Sequence, residues 1–188
     1  MHDEAPDLLR TANLLGAAAL AVTDLALTGA TAAAGTSGSG AAALVVLRAA
    51  PGLSVTELGR RVGLTQSAAA RMVEALEQRG LVERRPTLGR SVAVRPTPAG
   101  LAAAESLLDA RGGRLTALVG TLPTADREAL TRALERLLAA VYGEVHSSER
   151  VCRLCDRAAC TTDAVCPVGQ AERDSAEEGD TTGGDRAG

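Results

Sequence analysis

The residues best suited to chemistry are four cysteines, all in one short stretch: Cys152-x2-Cys155-x4-Cys160-x5-Cys166. A Cys-x-x-Cys start lets two sulfurs reach one ion from a tight turn. The next two spacings allow a small loop to close a tetrahedron. Zinc suits four sulfur ligands with no open position, which describes a closed structural site. Arg150, Arg153 and Arg157 would offset part of the charge of four thiolates. Val151, Leu154, Val165 and Val168 are almost the only apolar residues nearby, so metal binding would supply most of the segment's folding free energy.

Two other chemistries stay open for the same thiols. An iron–sulfur cluster also takes four cysteines, and Pro167 follows the last one as in ferredoxin-type runs, although the spacing differs. Alternatively the thiols stay metal-free and form reversible disulfides, as an oxidant switch. His146, six residues before Cys152, could replace one ligand. A histidine at a helix end is also favourable simply because it faces the negative end of the dipole.

A second set of residues is suited to binding rather than bond-making, and it runs from Ser54 to Arg95. Ser54-Val55-Thr56-Glu57 is a capping box, so a short helix starts there and carries Leu58 and Val62 inward. Gly63 supplies the positive φ of a helix end, and Thr65 caps the next helix, about Gln66 to Arg79. That helix places Ala69, Met72, Val73 and Leu76 on one face. Its other face presents Gln66, Ser67, Ala70 and Arg71, small at the tip with an arginine one turn on, which would let it enter a major groove. Gly80 stops the helix. Leu81–Arg85 and Ser91–Arg95 then alternate like two strands around a tip at Pro86–Arg90.

Leu64-Thr65-Gln66-Ser67 through Gly80-Leu81-Val82-Glu83-Arg84-Arg85, closed by Thr97-Pro98-Ala99-Gly100, resembles the MarR family of winged helix-turn-helix regulators over roughly residues 40–146. The family's wing carries Asp-x-Arg. Here the matching positions are Leu88-Gly89-Arg90, so Arg90 stands for the wing-tip arginine while the aspartate is absent. The resemblance implies a homodimeric, double-stranded-DNA-binding transcription regulator, a repressor on a pseudo-palindromic operator. A small-molecule effector stays open. Thr65, Gln66, Ser67, Ala70 and Arg71 would meet the groove, and Arg84, Arg85 and Arg90 would reach phosphates or the minor groove from the wing. MarR-like chains with a similar Cys-Arg-Leu-Cys-Asp tail ending in Cys-Pro-Val suggest that the cysteine stretch is one unit.

Charge agrees once it is divided along the chain. The net charge is −3, yet residues 44–100 hold nine Arg against four Glu, a surplus of +5. Counterion release from phosphates would supply affinity there. All twenty basic residues are arginine, which reads first as coding bias. Tyr142 is the single aromatic residue, which argues against a single-strand reader built on stacking platforms.

The remaining elements must hold these two sets in place. Pro6 opens a helix of about 22 residues with apolar positions at three and four, and Gly29 to Gly40 follows as a loop. Ala41–Ala50 is a helix that buries Leu44, Val45 and Leu47. Thr97-Pro98 opens another through about Val119, expected to kink or break at Gly112-Gly113. From Pro123-Thr124 a long helix lines up Leu130, Leu134, Leu137, Leu138, Val141 and Val145, with Arg127, Glu128, Arg132, Glu135 and Arg136 as solvated pairs opposite. The fold expected is mainly α with a small β-hairpin wing: a winged helix-turn-helix domain plus N- and C-terminal dimerisation helices. The divisions are 1–40, dimerisation helix and loop; 41–100, DNA-binding domain; 101–146, C-terminal dimerisation helices; 147–170, a four-cysteine metal-binding extension; and 171–188, a disordered acidic tail.

The acidic start is the wrong sign for a signal peptide, and the Ala-rich run after it reads as too weakly apolar to span a bilayer, so no membrane and a cytoplasmic location are expected. The chain offers no nucleophile–His–carboxylate set and no phosphate-cradling glycine loop, so it does not read as an enzyme. A thiol–disulfide oxidoreductase through Cys152-x-x-Cys155 lacks the βαβ context it would need. A protein-interaction module built on the cysteine tail remains the third reading.

Overall fold

Three hydroxyl caps set the frame of the helix-turn-helix and of the helix that follows the hairpin. Ser54 Oγ accepts from the Glu57 N–H at 3.1 Å, Thr65 Oγ1 from Ala68 at 3.4 Å and Thr97 Oγ1 from Gly100 at 3.1 Å. Each satisfies a backbone donor that a helix start would otherwise leave open. The capping box is made by halves only: the Glu57 carboxylate turns to Arg60 and Arg61.

The computed structural model describes residues 4–87 and 92–183. In order these give α1 (Glu4–Ala34), α2 (Gly38–Ala49), α3 (Val55–Val62), α4 (Gln66–Gln78), β1 (Val82–Pro86), β2 (Val92–Pro96), α5 (Pro98–Gly120), α6 (Thr124–Val145), α7 (Ser148–Val151), α8 (Arg157–Thr161) and α9 (Pro167–Gly183). Gly63 takes a left-handed conformation (φ 76°) between α3 and α4, as its place in the turn predicts. β1 and β2 pair antiparallel with Val82 opposite Pro96 and Arg84 opposite Val94. Leu53 adds a bridge to Val94, which ties the start of the helix-turn-helix to the wing.

The core is one cluster. Leu44 and Leu47 of α2, Leu58 of α3, Val73 and Leu76 of α4, Val82, Val94 and Leu107 of α5 are all essentially buried. Each such side chain contributes about 1.5–3 kcal/mol by leaving water. Residues expected inward from helical spacing (Leu58, Val62, Ala69, Met72, Val73 and Leu76) are all buried.

Four expectations need correcting. α1 runs to Ala34, so the loop shrinks to residues 35–37: Ala30 and Ala32–Ala34 are strong helix formers, and the Ser37 cap starts α2 three residues early. The strands sit one residue later than their alternation suggested. α5 continues unbroken through Gly112-Gly113, where its packing on α1 outweighs the glycine penalty. The acidic segment from Ala171 is helical as far as Gly183, because Pro167 opens α9, Val168 is buried and α9 lies along α6. Gln170 also bridges Arg173 and Asp174 at 2.6 Å each.

α6 leaves its apolar stripe open: Leu134, Leu137, Leu138 and Val141 are exposed, as are Leu8, Leu9 and Leu20 of α1. None of the α6 charges expected to pair does so among the described residues. Arg127 instead donates to the Leu122 carbonyl at 2.7 Å. The 20-residue stretch Asp7–Ala26, read from sequence as too weakly apolar, is in fact long and apolar enough to cross a membrane by length and composition, a test that core helices and signal sequences also pass.

Candidate nucleic-acid interface and thiol cluster

α4 carries the first set of residues. Its inner face is fixed by Ala69, Met72, Val73 and Leu76, so Gln66, Ser67, Ala70 and Arg71 are exposed on the outer one. The first turn holds no acidic residue, and Thr65 and Ser67 hydroxyls lie 3.4 Å apart at its tip. Arg71 makes no ion pair or hydrogen bond among the described residues and is free to reach outward. Arg84 and Arg85 are less free. Arg84 pairs with Glu77 at 3.0 Å, joining the wing to α4, and Arg85 pairs with Glu83 at 2.7 Å. Arg90 and the Leu88-Gly89 before it lie outside the described residues.

Two glycines, Gly59 and Gly100, set how closely this unit packs. A Cβ on Gly59 of α3 would come within 2.6 Å of the Ala69 side chain, so α3 and α4 touch through a glycine–alanine contact. Gly100 is tighter still, and its surroundings are backbone. A glycine inside a short helical pattern is the signal that could have pointed to the first. Arg79, at the end of α4, also reaches across to the Gly35 carbonyl.

The four cysteines are all free thiols, Cys160 exposed and the others half-buried. The structure brings them to one place: all four line a cavity against α2, and all four also line another of about 620 Å³ between α1, α5 and α6. Cys152 hydrogen-bonds with Cys155 and Cys166, and Cys160 with Cys155 and Cys166. The bond from Cys155 holds the Cys152 thiol below its ordinary value. The same bond, then burial, pushes Cys155 up, while burial and the Cys155 charge raise Cys160 to about 11. The Gly169 N–H donates to the Cys166 sulfur at 3.4 Å. Each sulfur thus neighbours two others, yet among the described residues no three His, Cys, Asp or Glu groups gather closely enough to hold an ion. Donor type and proximity fit a thiophilic metal; a common centre is not formed. His146 ends α6 in a left-handed conformation (φ 49°), its ring edge-on to Tyr142 at 6.3 Å.

The cysteine segment also touches the helix-turn-helix, which the sequence did not foretell. Arg60 donates to Glu149 of α7 at 3.0 Å and to both oxygens of Glu57, at 2.7 and 2.8 Å; Arg61 donates to Glu57 at 2.8 Å and lies 3.9 Å from Glu149. The Arg60 and Arg61 hydrogen bonds pull the Glu57 carboxyl down to about 2. Burial works to raise Glu149, but the Arg60 bond and the arginine charges outweigh it and leave that carboxyl low.

Residues 34–90 match the MarR family. Among curated protein sequences none matches. Solved structures share the fold. The YusO protein of Bacillus subtilis is 21% identical with a TM-score of 0.62, over 71% of this chain and 96% of that one. MepR, a transcription regulator of a Staphylococcus aureus multidrug efflux pump, is 17% identical with a TM-score of 0.63, over 69% and 97%. The MarR family protein Rv2887 of Mycobacterium tuberculosis is 25% identical with a TM-score of 0.57, over 72% and 96%, and also has a structure in complex with salicylic acid. The fold is thus a winged helix-turn-helix of the MarR type.

Proposed function

We propose that this chain is a cytoplasmic MarR-family transcription regulator, a repressor that binds a pseudo-palindromic operator as a homodimer. The observation that carries the reading is the outer face of α4: a capped helix tip of small polar residues with an arginine one turn along that has no partner among the described residues. Each α4 would enter one major groove, with half-sites about one helical turn apart. Arg84 and Arg85 would exchange their glutamate partners for phosphates, and Arg90 would extend the wing by its resemblance to the family. The open stripes of α1 and α6 favour a second copy as their cover. In that arrangement Asp7–Ala26 is an intersubunit seam and no membrane is crossed. A small organic effector would sit in the larger cavity, where Val22, Ala26, Leu108 and Leu115 give apolar walls and Arg111 a cation.

Sedimentation should give twice the chain mass, and nuclease protection on a selected site should be two-fold symmetric. A monomer that ignores duplexes at very low salt would overturn the proposal.

Cys152, Cys155, Cys160 and Cys166 are the residues that would hold zinc, as a closed site with no exchangeable position. Elemental analysis after anaerobic purification should find one colourless zinc per chain. Iron with sulfide and visible colour would replace zinc by a cluster, and no metal would favour the thiol switch.

A further inference from the structure

We infer that the cavity between α2 and the cysteine segment is a binding site for a small dianion, a phosphate monoester with a short aliphatic body. The site stands apart from the DNA-binding reading and from the larger cavity on the other side of the thiols.

The cavity holds about 290 Å³, near the lower edge of what ligand sites span, so its occupant is small. Its floor is α2, where Val45, Val46, Ala49 and Ala50 present aliphatic groups. Val168 of α9, essentially buried, closes the apolar part from the far side. Among the described residues no aromatic ring lines it, so the floor suits a saturated chain rather than a stacked ring.

Charge selects the other end. Arg61, Arg153, Arg157 and Arg173 line the same space against Glu149 and Glu172, a surplus of +2. Both carboxylates are already engaged: Glu149 accepts from Arg60 at 3.0 Å, and Glu172 accepts from Ser148 Oγ at 2.7 Å. Arg61 turns to Glu57. The other three arginines meet no carboxylate among the described residues. Arg153 donates to the Arg150 carbonyl at 2.8 Å, Arg173 to the Gln170 side chain at 2.6 Å, and Arg157 to no group there. The sulfurs do not engage them either, since no arginine hydrogen-bonds a cysteine among the described residues.

The start of α9 adds a donor. Pro167 has no N–H, and Gly169 gives its own to the Cys166 sulfur at 3.4 Å. The Val168 N–H between them has no acceptor among the described residues. The Arg173 guanidinium rests over this same first turn, with Nη1 3.7 Å from where a Cβ on Gly169 would stand. A cation over the positive end of a helix is unfavourable unless an anion lies between them. Guanidinium forks and an open helix start are met together by phosphate oxygens. A monoester brings about two charges, which matches the surplus, whereas a single carboxylate leaves one cation unmet.

The test titrates the full chain, kept reduced, by calorimetry in phosphate-free buffer at about pH 8, where the monoester carries nearly two charges. Propyl phosphate should bind saturably and roughly tenfold tighter than propanesulfonate, which keeps the shape and carries one charge. It should also bind roughly tenfold tighter than inorganic phosphate, which lacks the chain. Arg157→Gln should weaken propyl phosphate roughly tenfold, the loss of one charge-assisted bond. Arg157 is exposed and has no bond of its own to lose, so this variant keeps the fold. Ala49→Leu, at an exposed position on the floor, should erase the advantage of propyl phosphate and leave inorganic phosphate unchanged. No saturable binding of either phosphate would overturn the site. Equal affinity for the sulfonate, or indifference to Arg157→Gln, would overturn it as well. Duplex binding enters none of these readouts, so failure here leaves the DNA-binding reading standing.

Discussion

Gly100→Ala should cost about 3 kcal/mol, the upper end of what overpacking a tight site does. A Cβ at this position would run into the Leu81 carbonyl oxygen and lie 3.0 Å from its carbon, and both are backbone. No side chain can swing aside to make room. Retreat is blocked because this junction is bonded three ways: Thr97 N–H to Leu81 O at 3.1 Å, Thr97 Oγ1 to Gly80 O at 2.6 Å, and Gly100 N–H to Thr97 Oγ1 at 3.1 Å. Those bonds fix where β1 leaves α4 and where α5 begins. Thermal unfolding followed by circular dichroism should show a midpoint lower by roughly 6–12 °C for a chain of this size. Gly112→Ala is the internal control, since nothing lies within 4 Å of its added methyl and the site is mid-helix. It should gain about 0.5–1 kcal/mol. Equal midpoints for the two variants would show that the Leu81 contact does not constrain this corner.

Arg71→Ala should weaken the preferred duplex by about 1–3 kcal/mol, or roughly ten- to a hundredfold, and level the ranking among sequences. Arg71 is exposed on the outer face of α4 and is not held by a partner among the described residues, so it has no internal bond to break before meeting a base edge. Arg84 and Arg85 must first release Glu77 and Glu83, so their alanine variants should lose less and lose it evenly. Selection from a randomised duplex pool, done with each variant, separates the cases. A uniform loss for Arg71→Ala, with the ranking kept and the salt slope flatter by about one phosphate, would make it a backbone contact instead.

What the sequence made legible was what is decided within a turn or two. Ser54, Thr65 and Thr97 announced three helix starts, and Gly63 and Gly80 two ends, because caps and left-handed glycines act on their immediate neighbours. The inner face of α4 followed from spacing alone. Features decided by distant packing stayed hidden. α9 looks too polar to order until α6 is beside it, and α5 looks breakable until α1 lies against it. The Glu149–Arg60 contact joins residues 89 positions apart, and no local pattern marks it. The thiol cluster was readable as a set of donors, whereas its seat against α2 was not.

One consequence of α9 concerns reach. Carboxylates that hang on a loose streamer would sweep a wide volume and compete with DNA for every arginine within range. Strung along a rod that lies against α6 and is pinned by Val168, Glu172 to Glu178 can shade only the flank on which they rest. The acidity of this end therefore acts as fixed scenery on the α6 flank.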